Sequence, residues 1–450
     1  MIYLILLLGF GLRLISLNQS FWLDETIQVW ASKLSWNDFW IEFLPKDFNP
    51  PLYYLITRWW IRLFGDGELA VRMTSVLMGV GVIFLTWKIA KRVSRNINNV
   101  TIVGLLVGSG PLLIYYSQEA RAYMLATFTV LLTTLLFINY LSKENWLNSI
   151  LLGLGVVLML MSHYLTILIL PVFIGFLIFK KGFDKTMMAV TLILVIFGIS
   201  YLPIFRSQLK VGTGVESTAP VWSKVIGQAN LKSGLLLPVK FVIGRISFQP
   251  QWLYGVIAFI LMSIFWGSAL LSLKENFKYK WLFFGLLAFP PTIGFLISFW
   301  LPVFSYFRFV FCLPFLYLLI GLSPINDKLK YFLVIINLIL SGIYLFNPQF
   351  HRENWKELAR WLNEQETPPV YVINQVKFPL EHYYDGKINK ITPKQRFIDE
   401  SMNRYRVYLV SYGLPIFDPE DKIRQELKIM NYDLRRGESF RQVGIEVWEK

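Results

Sequence analysis

Two adjacent carboxylates, Asp24 and Glu25, stand in the stretch Phe21-Trp22-Leu23-Asp24-Glu25, a few residues beyond the apolar segment Met1 to Leu17. If that segment crosses a bilayer, the pair emerges at the far membrane face, where a charge is costly without a partner or a task. A carboxylate held there can take a proton from a reacting group. As plain helix-start residues, the two acids would instead face the positive end of the helix that follows. Other chemistry-bearing residues fall at comparable boundaries. Glu119 and Arg121 lie in Tyr115-Tyr116-Ser117-Gln118-Glu119-Ala120-Arg121-Ala122-Tyr123, His163 precedes Tyr164 at another turn, and Arg308 opens a late apolar run. Each has a plainer reading: an ion pair among belt tyrosines, a hydrogen-bonded structural histidine, an arginine snorkelling to headgroups. Together they place acids and bases at one depth, as a reaction with a general base and a phosphate pocket requires. The sequence does not say that they converge.

The elements that must hold these residues are membrane helices. The chain has 450 residues, 55% hydrophobic and 16% charged, with a mean hydropathy of +0.49; an ordinary soluble domain carries about 25% charged residues. A spanning helix needs about 20 apolar residues. That predicts eleven spans, near 1–17, 69–90, 100–116, 122–141, 146–162, 164–180, 186–204, 251–273, 281–300, 305–322 and 331–346. The first is read as an uncleaved helix, because a basic leader and a small-residue cleavage site are missing. A short apolar stretch at 234–248, containing Pro238, reads as re-entrant or interfacial.

The net charge of +15 would point to nucleic acid in a soluble protein, but here much of it sits in short loops and reports topology and anionic lipid instead. Lys91, Arg92, Arg95, Lys143, Lys180, Lys181, Lys185, Lys274, Lys278, Lys280, Lys328 and Lys330 then share one side. The positive-inside rule makes that side cytoplasmic and puts the loops 18–68 and 205–250 and the tail outside. The lone Cys312 excludes an intrachain disulfide. Within the first outer loop, Leu52, Leu55, Ile56, Trp59, Trp60 and Leu63 recur at helical spacing. This predicts a helix lying in the interface, with Thr57, Arg58 and Arg62 turned toward lipid phosphates. From residue 347 the pattern changes to short helices near 351–365 and 418–430 and strands at 370–373, 407–410 and 440–448. The expected fold is therefore an α-helical polytopic membrane domain, 1–346, followed by a small α/β domain, 347–450.

The motifs resemble, in order and over nearly the whole chain, the GT-C superfamily of membrane glycosyltransferases. Within it, the likeness is to bacterial relatives of protein mannosyltransferases and to the lipid A aminoarabinose transferase. The resemblance rests on Phe21-Trp22-Leu23-Asp24-Glu25, Asn49-Pro50-Pro51-Leu52-Tyr53-Tyr54, Phe64-Gly65-Asp66 with Arg72, Tyr116-Ser117-Gln118-Glu119-Ala120-Arg121, Ser162-His163-Tyr164 and Tyr306-Phe307-Arg308-Phe309. Asn49 departs from the family's histidine and removes a titratable group, so no catalytic role falls there.

The resemblance implies transfer of a sugar from a polyprenyl-phosphate donor to an acceptor hydroxyl on a glycan, lipid or protein, at the outer face of a plasma membrane. It implies Asp24 as general base, Glu25 as its positioner or an acceptor contact, and Glu119 as a second acid. Arg121, His163 with Tyr164, and Arg308 would meet the donor phosphate, with help from Arg58. In-line attack would invert the anomeric centre. A divalent ion is left open, with Asp24 and Glu119 as the acids to hold it. Two other classes compete: a polytopic lipid or solute transporter, which would carry midplane charges and paired broken helices, and a membrane scaffold whose outer domain binds a glycan or protein.

Overall fold

The computed structural model describes all residues except 181, 183, 219–226, 228, 366–368 and 392–403, and leaves out the side chains of 214–218. Lys181 and part of the expected 205–250 loop therefore lie outside the described residues. The chain divides into two compact units: Met1–Leu17, Leu34–Thr213 and Ile226–Phe350 form the first; Asn18–Lys33, Gly214–Val225 and His351–Lys450 form the second.

The first unit is a helical bundle. Among the described residues, six helices are long and apolar enough to cross a membrane, or seven if the bent pair Ile97–Ser109 and Pro111–Ser117 is one span. Four shorter apolar helices, Ile2–Leu14, Trp146–Ser162, Tyr164–Lys180 and Tyr306–Leu322, coincide with the other expected spans. Lipid leaves no hydrophobic force between helices, so close packing and polar contacts sort them. Every residue of the Leu313–Leu322 helix is buried, whereas only 6% of the apolar window in Met187–Thr213 is covered. The first lies in the bundle core and the second faces outward. Between the Tyr123–Ser142 and Trp146–Ser162 helices, the Thr129 and Ser162 hydroxyls meet at 2.9 Å, and Thr133 donates to the Gly155 carbonyl at 2.9 Å. Such hydroxyl contacts let two mostly apolar helices choose a register.

The helix expected in the first outer loop forms at Leu52–Phe64 with Arg62 exposed, but Thr57 and Arg58, expected to turn toward lipid phosphates, are buried. Tyr53, Tyr54, Thr57 and Arg58 are buried, while Trp59, Leu63 and Phe64 are exposed. Apolar side chains cost nothing against lipid, whereas the buried polar ones find partners in protein. The Tyr53 hydroxyl lies 2.8 Å from both Thr74 Oγ1 and Ser75 Oγ, and Trp60 Nε1 donates to the Ala70 carbonyl at 2.8 Å.

The second unit holds a sheet of order β2-β1-β3-β5-β4, from β1 (Val370–Ile373), β2 (Ile388–Ile391), β3 (Arg406–Val410), β4 (Asp433–Phe440) and β5 (Val443–Glu449). β1 runs parallel to β2 and β3; β5 is antiparallel to β3 and β4. The Trp355–Asn363 helix sets Trp355, Leu358, Ala359 and Leu362 into the core. Leu23, from the Leu23–Lys33 helix of the first loop, is part of that same core.

Candidate active site

In the first unit, the sequence builds a rigid turn that carries Glu119 and Arg121. The Gly110-Pro111 step ends one helix and starts the next, bending the pair by 53°; proline suits a first helical position because it has no N–H to leave unpaired. The Pro111–Ser117 helix then brings Tyr115 and Tyr116 to the turn. Gln118 fixes its start: its amide donates to the Arg13 and Ile15 carbonyls at 3.1 and 2.6 Å, and it accepts from the Tyr344 hydroxyl at 2.8 Å. Buried Arg13 donates to Ser117 Oγ at 2.9 Å and to the Gly9 and Gly108 carbonyls at 2.8 and 3.0 Å. Gly79 makes room for this knot: a Cβ there would stand 2.2 Å from Ser117 Oγ. Glu119 is buried, and its carbonyl accepts the Arg121 N–H at 2.8 Å.

His163 lies between two apolar helices and caps the following turn, where Nδ1 accepts the Leu165 N–H at 3.2 Å. Burial pushes its pKa down to about 3, and the nearby Arg308 and Arg121 charges push the same way. The imidazole is therefore neutral at pH 7. With Nδ1 used as acceptor, the proton sits on Nε2, a donor. Its ring lies 6.4 Å from Tyr123 and 6.5 Å from Phe311. Arg308 donates to the Pro302 carbonyl at 3.2 Å and lies 5.9 Å from the centre of the Phe307 ring. Phe307 packs on Tyr123 at 5.6 Å, and Tyr123 on Tyr116 at 5.0 Å. Arg121, His163 and Arg308 therefore converge.

Sequence reasoning missed Arg245. The short apolar helix with Pro238 forms at Leu231–Ile243 and ends at Gly244, whose φ is +73°. That conformation is open to glycine at little cost, and it turns the chain beside Pro111. The exposed Arg245 then lies over the Tyr115 ring, 5.1 Å from its centroid, and donates to the Tyr306 hydroxyl. Its charge also acts on Tyr116, as does that of Glu119. A cation following a glycine at the end of a proline-containing apolar helix was the available signal. Tyr306 stood in a quoted motif without a role.

Two expected donor contacts are engaged elsewhere. Arg58 donates to the Leu34 carbonyl and to the Ser35 carbonyl at 3.5 Å, and packs on Trp36 at 4.7 Å. The Tyr164 hydroxyl meets Tyr201 at 2.8 Å and donates to Gln208, whose amide donates to the Leu44 and Asn49 carbonyls. Asp24 and Glu25 belong to the second unit, on the first turn of the Leu23–Lys33 helix. Phe21 N–H donates to the Tyr383 hydroxyl at 2.7 Å, and the Phe21 ring meets His382 edge-on at 5.4 Å. Asp24 is partly exposed and Glu25 fully buried. Among the described residues, no three or more His, Cys, Asp or Glu side chains stand together as metal ligands.

Helices long and apolar enough to cross a membrane, a compact α/β unit, and arginines gathered with a histidine and tyrosines define a polytopic protein with a cationic candidate site. Residues 49–204 match the sequence profile of the dolichyl-phosphate-mannose-protein mannosyltransferase family. The structure is similar to the crystal structure of ArnT from Cupriavidus metallidurans bound to undecaprenyl phosphate, with a TM-score of 0.61 and 12% identity over 99% of this chain and 97% of that one. Against the apo state of that protein the TM-score is 0.47, at the same identity and coverage. No curated protein matches the chain by sequence.

Proposed function

We propose that this protein is an inverting glycosyltransferase that moves a sugar from a polyprenyl-phosphate donor to an acceptor hydroxyl at the outer face of a plasma membrane. The observation that carries the reading is the convergence of Arg121, His163 and Arg308, with Arg245 set among Tyr115, Tyr116 and Tyr306 in the same unit. Guanidinium groups bind phosphate oxygens through paired, charge-assisted hydrogen bonds. A neutral histidine with a proton on Nε2 adds a donor without adding charge. The fold shared with a protein that holds undecaprenyl phosphate supports a polyprenyl phosphate as the carrier.

The chemistry then runs as a single displacement. Asp24 takes the proton of the acceptor hydroxyl, and that oxygen attacks the anomeric carbon. The bond from this carbon to the phosphate oxygen breaks, and its electron pair leaves with the phosphate. Arg121, Arg245 and Arg308 offset the charge that develops there. Attack from the face opposite the leaving group inverts the anomeric centre. Glu119, beside the tyrosines and arginines, is the second acid of the site. The basic loops support an extracytoplasmic active side.

The test uses purified protein in nanodiscs with a panel of radiolabelled polyprenyl-phosphate sugars. Release of free polyprenyl phosphate, with the product's anomeric configuration opposite to the donor's by NMR, supports the reading. No turnover of any donor, alongside movement of a soluble substrate across the membrane, replaces it with the transporter.

A further inference from the structure

We propose that Arg352 and Glu353 are positioning residues for the Asp24 carboxylate, acting through Glu25 and Tyr412. The inference rests on the reading of Asp24 as the base.

Glu25 is 0% exposed, so it cannot meet an acceptor from solution. A carboxylate taken from water needs a counter-charge, and removing that partner leaves a costly orphan. Arg352 supplies it: Nε lies 4.0 Å from Glu25 Oε2, with both side chains buried. The same Glu25 oxygen accepts the Trp22 N–H at 3.4 Å. Arg352 also grips the segment through its backbone, because its N–H donates to Gln19 Oε1 at 3.0 Å. Its carbonyl is held in turn by Arg441 Nε at 2.8 Å. One residue thus fixes the acidic stretch at Gln19 and at Glu25, and Asp24 is carried next to the second anchor.

Glu353 completes the cluster. It is buried, accepts the Tyr412 hydroxyl at 3.0 Å, and feels the charges of both Arg352 and Glu25. Tyr412 feels the charge of Asp24, and its ring packs edge-on against buried Trp355 at 5.1 Å. Two buried carboxylates, Glu25 and Glu353, thus act on one buried guanidinium. Glu353 is raised by burial first and by Glu25 as well.

The test measures donor turnover by full-length protein in nanodiscs. Arg352→Gln should lower kcat by about tenfold or more while the donor KM stays within about twofold, the pattern of a lost transition-state alignment. Arg352→Lys should recover part of the loss. Combining Arg352→Gln with Glu25→Gln should cost no more than the worse single change, as expected of residues that act as one unit. Tyr412→Phe, which removes one oxygen and keeps the ring, should lower kcat several-fold at unchanged Tm. A wild-type kcat in Arg352→Gln and Tyr412→Phe overturns the proposal, and so does a fall in Tm without a change in kcat per folded molecule. Failure of the wild type to turn over any donor, or full activity in Asp24→Asn, overturns the underlying reading instead.

Discussion

The Arg245 guanidinium lies over the ring of Tyr115, 5.1 Å from its centroid, and donates to the hydroxyl of Tyr306. The two aromatic partners come from separate helical segments and aim one exposed cation at the site. A charge-assisted hydrogen bond to phosphate is worth roughly 1.5–3 kcal/mol. Arg245→Gln should therefore raise the donor KM by about 10- to 100-fold. Lysine at 245 keeps the charge but loses the planar fork, and should fall between the two. An unchanged donor KM in Arg245→Gln would remove this residue from the phosphate site.

Gly244 sets where Arg245 goes. With φ at +73°, alanine there is strained by about 1–2 kcal/mol, and its Cβ would lie 3.1 Å from that of Pro111. Gly244→Ala should lower Tm modestly and raise the donor KM, both together. Donor affinity that survives a lowered Tm would show that Arg245 is held by its aromatic partners alone.

These two residues also show how much the sequence discloses. Apolar runs of spanning length marked the helices, because lipid permits few alternatives. Arg121, His163 and Arg308 were legible because each sits in an aromatic or polar turn at a span end. Arg245 was not, since its role depends on a left-handed glycine and on rings more than 60 residues away in either direction along the chain. Thr57 and Arg58 of the Leu52–Phe64 helix were misread as outward-facing for a related reason. Helical spacing shows that two faces differ, but not which of them finds hydrogen-bond partners in protein. Within the second unit, β1 and β3 were visible as short apolar runs and β5 within the expected 440–448 strand, whereas β2 was not anticipated. β4 was not, because its residues are mostly exposed and polar.

Arg58 supplies a contrast with Arg245. Its guanidinium is engaged by the Leu34 and Ser35 carbonyls and the Trp36 ring. Arg58→Ala leaves buried acceptors unmet, at about 1–3 kcal/mol. The expected outcome is a lower Tm with the donor KM of the folded fraction unchanged. A raised donor KM at unchanged Tm would return Arg58 to the phosphate.

Stability should depend on pH through Glu353. Burial holds its carboxyl above the ordinary value of 4.5, with Glu25 adding to the rise and Tyr412 and Arg352 opposing it. The folded state then binds this proton more tightly than the unfolded state. Its contribution is fully present below pH 4.5 and is lost as pH rises through the folded pKa. Glutamine stays neutral throughout. Glu353→Gln should match wild type in Tm near pH 4 and exceed it at neutral and alkaline pH. Parallel Tm curves for the two proteins across pH 4–9 would show that Glu353 is ionised alike in both states.

The central claim is that Asp24 takes the acceptor's proton while the arginine cluster holds the donor phosphate. The direct measurement is release of polyprenyl phosphate from a turned-over lipid-phosphate sugar, comparing wild type with Asp24→Asn in nanodiscs. The account predicts a rate at least about 100-fold lower in the variant, the scale of general-base catalysis, with donor affinity and Tm near wild type. Release at the wild-type rate by Asp24→Asn would contradict it.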